Sequence, residues 1–592
     1  VFRQLPRLLL LLMKFRTFIT PLAVIGGLVF VVGLALLGGL LLRNPLALIE
    51  QGGLQTPTAL QFVPKQSAVV ASVLARPDRL TDVWEYLTAP ELRQQTRRDI
   101  EQIEQTLLAG TGLDYEQDIL PWLGEDITVA IVSPDIDQDP GNGTEPGYLI
   151  ALSCQDSQAA RAVLELFWQN RAIAGDALSF EDFAGSRLIY SSPRRQEGAT
   201  DSRLLSPLGS GQVASTLVAN QFVLVANHPE VLRQALNAAQ SLDNNLASDR
   251  RYRQALRALP RTRVGLLALH LPKATSLVWG TPAKTMESSS LAQLEEPGDA
   301  LNWGLLSLGL SQEGIVVDMA WTTDPGREFE PREARLTGLP DPAYYLPEQA
   351  SVTAVGQSLQ HLQAGIQPLW QRYGPESGTG FWSQFELLSV LNEELVHTFL
   401  NTVTDNFALG FSLGRVPDWL LVSEAGDALT GVLQQVYTSA QNAGVGVNTL
   451  MVEGHPTTAL ARLMLSQNPA GTQNTSIDVI AQVLGMQAQV DDVSVMTSSP
   501  ALMVSTLKNG QNAPQLPAWT QDLSLFRTPN EGYMHLRWPQ LQSELSQRSA
   551  RFRLWETATK PILRHLKTVT LTSYGRTRDW QTGRVFFQLS NS

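Results

Sequence analysis

The sequence predicts an α+β fold: a single N-terminal transmembrane helix followed by two tandem, diverged copies of a mainly antiparallel-sheet domain with packed helices. Three observations predict it. Short β-branched strands and hairpins alternate with amphipathic helices. An uncharged apolar run precedes them. The chain also repeats itself. Leu60 to Val69, around Pro64, returns as Ala343 to Val352, around Pro347; Pro146-Gly147-Tyr148-Leu149 returns as Pro417-Asp418-Trp419-Leu420. Asn227-His228-Pro229 returns as Ser498-Ser499-Pro500, and Gly265 with Leu269 and Pro272 as Gly532 with Leu536 and Pro539. The four offsets are 283, 271, 271 and 267, so order is kept with little drift.

The elements follow in order. Residues 1–17 are expected to be a cytoplasmic segment and 18–42 a membrane-spanning helix, because no charge interrupts Thr17 to Leu42 and about 20 apolar residues cross a bilayer core. Arg3, Arg7, Lys14 and Arg16 precede this run and only Arg43 follows closely. That bias predicts a cytoplasmic N-terminus, with the body in the periplasm or a lumen. Residues 43–57 read as a tether, 58–324 as copy one, 325–341 as a Pro-, Gly- and charge-rich linker, and 342–592 as copy two.

Within copy one, Val69–Ala75, Ile127–Val132 and Tyr148–Leu152 read as strands. Leu92–Leu108 reads as a helix, with Ile100, Ile103 and Leu107 on one face. Ala159–Trp168 is a second helix with Asp156 as its N-cap. Ser215–Val218 and Phe222–Val225 form a hairpin, Pro229 opens a third helix, and Ser248–Leu259 forms a fourth. Val264–Leu271 is a strand, and Trp303–Leu310 with Ile315–Trp321 a closing hairpin. Pro193–Gly211 and Thr281–Asp299 read as long polar loops.

Bulk properties narrow the function. A chain of 592 residues exceeds one hydrophobic core, and 43% hydrophobic content suits a folded chain. Net charge is −12; the first fifty residues carry five cations against Glu50, or +4, which leaves −16 for the rest. An acidic body repels phosphate backbones, so nucleic acid is not an expected partner. The single cysteine, Cys154, excludes an intrachain disulfide and reads as an inert thiol in an apolar strand.

The chemistry-bearing patterns are few. Asp135, Asp137 and Asp139 stand at alternate positions, as a calcium loop begins. Pro140 then occupies the position that needs glycine and Pro146 the one that needs glutamate, so a solvated hairpin loop competes with a Ca²⁺ site. No other cofactor is expected. The seven histidines show no metal-binding spacing, and no Gly-x-Ser-x-Gly or P-loop pattern occurs. Arg250, Arg251, Arg253 and Arg257, followed by Arg261 and Arg263, crowd one helix and its exit. They read either as a solvated face or as a docking patch for an acidic protein or anionic headgroups.

The run Thr111-Gly112-Leu113-Asp114-Tyr115-Glu116-Gln117-Asp118-Ile119-Leu120-Pro121-Trp122-Leu123-Gly124 stands out, with Phe62-Val63-Pro64-Lys65-Gln66, the Asp135 loop and Pro146-Gly147-Tyr148-Leu149. Together they resemble a cyanobacterial family labelled domain of unknown function 3352. The resemblance implies a cyanobacterial host and attachment to the plasma or thylakoid membrane, with no catalytic residues to carry over.

The expected function is a non-enzymatic, membrane-anchored binding, scaffold or assembly-support protein. Its expected partners are membrane lipid, through the N-terminal helix, and a membrane protein. A carrier of a lipid or pigment is the alternative, and an enzyme with a spatially assembled site the second.

Overall fold

The computed structural model describes residues 52–76, 111–136, 145–192, 212–241, 243–274, 301–323, 326–348, 350–362, 393–412, 417–467, 477–511, 518–548, 553, 563 and 565–589. Ten strands lie in the first half: β1 (Val69–Val73), β2 (Leu123–Ser133), β3 (Gly147–Cys154), β4 (Ala177–Phe183), β5 (Ser186–Ser192), β6 (Val213–Val218), β7 (Phe222–Ala226), β8 (Gly265–His270), β9 (Trp303–Ser311) and β10 (Gly314–Thr322). Ten more follow: β11 (Val352–Gln357), β12 (Asn406–Ser412), β13 (Asp418–Glu424), β14 (Gly446–Val452), β15 (His455–Gln467), β16 (Ile477–Val490), β17 (Val493–Thr497), β18 (Gly532–Arg537), β19 (Leu566–Arg576) and β20 (Gln581–Leu589). The described helices are α1 (Ser157–Ile173), α2 (Pro229–Gln240), α3 (Arg250–Ala258), α4 (Glu393–Thr402), α5 (Asp427–Asn442), α6 (Pro500–Gln511) and α7 (Trp538–Arg548).

All the described pairings are antiparallel. In the first half the spatial order runs β4-β5-β6-β7-β3-β2-β1-β8-β9-β10. In the second it runs β14-β15-β16-β17-β13-β12-β11-β18-β19-β20. β10 then pairs with β20 over Gly314–Trp321 and Gln581–Gln588.

This corrects the expected fold class. The described strands form one continuous sheet of twenty, not separate sheets in two tandem domains. The reason is physical: β10 and β20 are each the last strand of their half, and each presents a row of unpaired N–H and C=O groups until it meets the other. The expected linker is also drawn onto the second half. The Phe329 N–H donates to the Arg578 carbonyl, Arg332 bridges Arg576, Leu336 bridges Asn530, and the Arg332 guanidinium pairs with Glu531.

The expected membrane anchor is corrected as well. Among the described residues no helix is long and apolar enough to cross a membrane. Residues 18–42, on which the expected single-pass localisation rested, lie outside the described residues, as does the helix expected at Leu92–Leu108.

Strand alternation sets the layers. On β7, Leu224 and Ala226 point to α2, where Val231, Leu232, Ala235 and Leu236 are buried; Val223 and Val225 point to α1 and pack with Ala160. The second half repeats this. Leu421 and Met496 pack toward α5, whereas Leu420, Val422 and Val495 pack toward Met503 and Leu507 of α6. Each buried large aliphatic side chain contributes about 1.5–3 kcal/mol of transfer free energy.

Local sequence explains the ends of the elements. Asp156 caps α1, its Oδ1 accepting from the N–H groups of Gln158 and Ala159 at 2.9 and 3.1 Å. His228 caps α2, its Nδ1 accepting from the Glu230 N–H, with Pro229 following where no N–H is needed. The β6–β7 hairpin turns through Ala219 (φ 51°) and Asn220 (φ 55°), both left-handed, as a tight hairpin requires.

Candidate functional site

Helix α3 carries the arginine cluster that the sequence singled out. Its spacing divides it cleanly: Tyr252 and Ala255 are buried, Leu256 is half-buried, and Leu259 continues the same apolar face beyond the helix end. Arg250, Arg253 and Arg257 are exposed on the other face, Arg261 is exposed just past the helix, and Arg251 is half-exposed 3.8 Å from Asp249. Asp249 is the N-cap, its Oδ1 accepting from the Tyr252 N–H at 3.0 Å. Arg253 donates to the Ser248 carbonyl at 2.8 Å. Neither Arg250 nor Arg257 has an ion-pair partner among the described residues.

Arg263 differs from its neighbours in sequence. Its side chain turns inward, 2% exposed, and Nη2 donates to the carbonyls of Pro260 (2.5 Å), Leu259 (3.4 Å) and Leu256 (3.4 Å). The Leu256 carbonyl is one that the end of α3 leaves without an intrahelical partner, and those of Leu259 and Pro260 follow directly after the helix. Burial pushes the guanidinium pKa down, and the nearby Tyr252 and Asp318 act to raise it. Desolvation pushes the Tyr252 phenol well up, so it stays protonated.

The other sequence-derived candidates resolve differently. Asp135 closes the base of its hairpin, its Oδ1 accepting from the Glu145 N–H at 3.2 Å. Asp137 and Asp139 lie outside the described residues, and among those described no group of three or more His, Cys, Asp or Glu side chains is placed to hold a metal ion. Cys154 is half-buried with its thiol pushed up to about 11 by desolvation, so it carries no thiolate at neutral pH. His535 is 3% exposed, with Nδ1 2.9 Å from the Thr570 hydroxyl. A shallow depression on α5, lined by Gln434, Gln435, Thr438, Ser439 and Asn442, holds no ionisable group.

Sequence reasoning missed the buried charges. Asp126, 1% exposed, accepts from the N–H and hydroxyl of Thr58 at 2.5 and 2.8 Å, from the Ala59 N–H at 2.8 Å and from the Thr128 hydroxyl at 3.1 Å. Asp318 on β10 takes a bidentate pair from Arg584 on β20 at 2.8 and 3.0 Å, and the Arg584 Nη1 also donates to the Leu525 carbonyl. Asp522, 5% exposed, sits beside Glu313 and accepts from Gln588 at 3.2 Å. A signal was present for Asp318: one carboxylate inside the apolar run Ile315-Val316-Val317-Asp318-Met319-Ala320-Trp321.

Fold and surface together define a large antiparallel-sheet protein, helix-covered on both faces, with a cationic helix presented outward from an acidic body. The chain belongs to the family described as Protein of unknown function (DUF3352), which matches residues 23–589. No curated protein matches the sequence. Among solved structures, one titled "Structure of crystal form I of TP0453" aligns at 9% identity with a TM-score of 0.23, covering 46% of this chain and 81% of that one. A likeness of that size carries no argument.

Proposed function

We propose that the protein is a non-enzymatic binding or scaffold protein that engages an acidic protein partner through the outer face of α3. One observation carries this reading. Arg250, Arg253 and Arg257 share an exposed face, Arg261 extends it, and the chain that carries them has a net charge of −12 with these cations included. A local inversion of sign on an acidic body steers an anionic partner to one place and repels it elsewhere. Two features favour docking over mere solvation. The inner face is anchored by Tyr252 and Ala255 and, just past the helix end, Leu259, and Arg263 holds the Leu256 carbonyl and the two that follow the helix, so packing fixes which face of α3 points outward.

The test uses the folded protein and a fluorescent polyglutamate peptide as the acidic probe. Fluorescence anisotropy should show binding at 50 mM salt that weakens at least about tenfold by 300 mM, because exposed charge interactions are screened. The triple variant R250E/R253E/R257E should lose that binding and keep its melting temperature. Equal binding by the variant would sink the proposal.

A second reading, a carrier of a hydrophobic ligand, draws on a different face. Leu306, Leu308, Leu310, Ile315, Val585 and Phe587 are half-buried and packed on one apolar cluster that spans both halves of the sheet. Native mass spectrometry of the purified protein should then show a lipid-sized adduct. Only the bare chain mass would count against it.

A further inference from the structure

The registers of the sheet relate the two halves without reference to which side chains they carry. In the first half Val69 of β1 opposes Leu269 of β8; in the second Val352 of β11 opposes Leu536 of β18. Leu266 of β8 opposes Ser307 of β9, which in turn opposes Asp318 of β10. The matching series is Tyr533 of β18, Thr572 of β19 and Arg584 of β20. Asp318 and Arg584 therefore occupy the same place in the repeated pattern. They also oppose each other across β10 and β20. Two equivalent residues that face each other mark a local two-fold axis between them, the geometry of an isologous interface.

We propose that the chain is a fused dimer, that β10 and β20 are the self-complementary edge of the repeated unit, and that the Asp318–Arg584 pair makes this edge accept only the opposite half. The proposal rests on sheet register and is independent of the role given to α3. At an isologous axis an unaltered repeat would bring two copies of one residue together. Here Asp318 is 5% exposed, so a second aspartate opposite it, or two arginines, would place like charges side by side out of water. Asp318 against Arg584 is the matched combination, made bidentate at 2.8 and 3.0 Å. The flanking equivalents, Ser307 and Thr572, are both buried hydroxyl residues, so the polar row across the seam is symmetric except at the axis. The edge thus fits one partner chemistry: the same strand from another copy of the unit, carrying the opposite charge at its centre.

The experiment uses the full chain in three forms: D318R, which places Arg opposite Arg; R584D, which places Asp opposite Asp; and the double reversal D318R/R584D. Each is refolded from urea, alone and as an equimolar mixture of the two single variants, and sized by chromatography with light scattering. Each single variant should remain a one-chain species with a melting temperature lowered by several degrees. The mixture should yield a two-chain species, because each edge then finds its opposite charge on the other molecule. The double reversal should behave as one chain with wild-type melting. A mixture holding one-chain species alone overturns the proposal, as does a double reversal no more stable than the singles. Should a single variant fail to fold, the double reversal decides alone.

Discussion

The imidazole of His535 lies flat on the indole of Trp519, with ring centroids 5.2 Å apart and planes 16° from parallel. Burial, with a smaller contribution from Arg537, lowers its pKa to about 4, so it is neutral in the folded protein. A depressed folded-state pKa means stability that is fully present above the unfolded value of about 6.5 and is lost as pH falls through about 4. His535→Gln should flatten the fall in urea midpoint between pH 7 and pH 4. The His535 share of that fall is no more than about 3 kcal/mol.

Asp522 shows the opposite sign. Desolvation, and then the neighbouring Glu313 carboxylate, raise its pKa to about 6. A carboxyl that binds its proton more tightly when folded stabilises below the unfolded pKa and loses that contribution as pH rises through about 6. Asp522→Asn keeps an oxygen for the Gln588 amide and removes the charge. Thermal melts should show the variant about 1–2 kcal/mol more stable at pH 8 and no more stable than wild type at pH 4.

Asp126 holds the entry of the first half. One of its oxygens takes the Thr58 and Ala59 N–H groups and the Thr58 hydroxyl, joining the short 3₁₀ turn at Ala59–Phe62 to β2. Asp126→Ala leaves buried donors unpaired and should cost about 3–5 kcal/mol in denaturant unfolding. Asp126→Asn, which keeps one acceptor, should cost less.

Gly304 lies opposite Trp321 in the β9–β10 pair, and a Cβ there would come within 2.1 Å of the indole. The ring covers the glycine and leaves no volume for a methyl. Gly304→Ala should destabilise by about 1–3 kcal/mol through overpacking. Pairing it with Trp321→Leu should recover part of that loss in the same melt.

Local pattern made much of the first half legible. The closing hairpin was expected at Trp303–Leu310 and Ile315–Trp321 and is observed as Trp303–Ser311 and Gly314–Thr322. Alternation and a four-residue turn are encoded side by side, so nothing distant is needed to read them. The helix expected at Ser248–Leu259 is equally local in origin and is observed as Arg250–Ala258. The role of Arg263 was not legible, because in sequence it is one more arginine in a run and only the fold turns it toward carbonyls. The seam was hidden for a stronger reason. Asp318 and Arg584 are 266 residues apart, and a strand edge does not record which distant edge will satisfy it.

The sheet has two outer strands, β4 and β14, each paired on one side among the described strands. They are guarded unequally. β4 carries Glu181, held by Arg233 at 2.8 Å, and Asp182, held by Arg187 at 3.3 Å, and charge on an edge discourages a further strand from adding. β14 reads Gly446-Val447-Asn448-Thr449-Leu450-Met451-Val452 with no charge, and Leu450 and Met451 are 43% and 65% exposed. Heating or concentrating this protein should therefore start aggregation at the β14 tip, and one lysine at Thr449 would be the shortest route to a better-behaved sample.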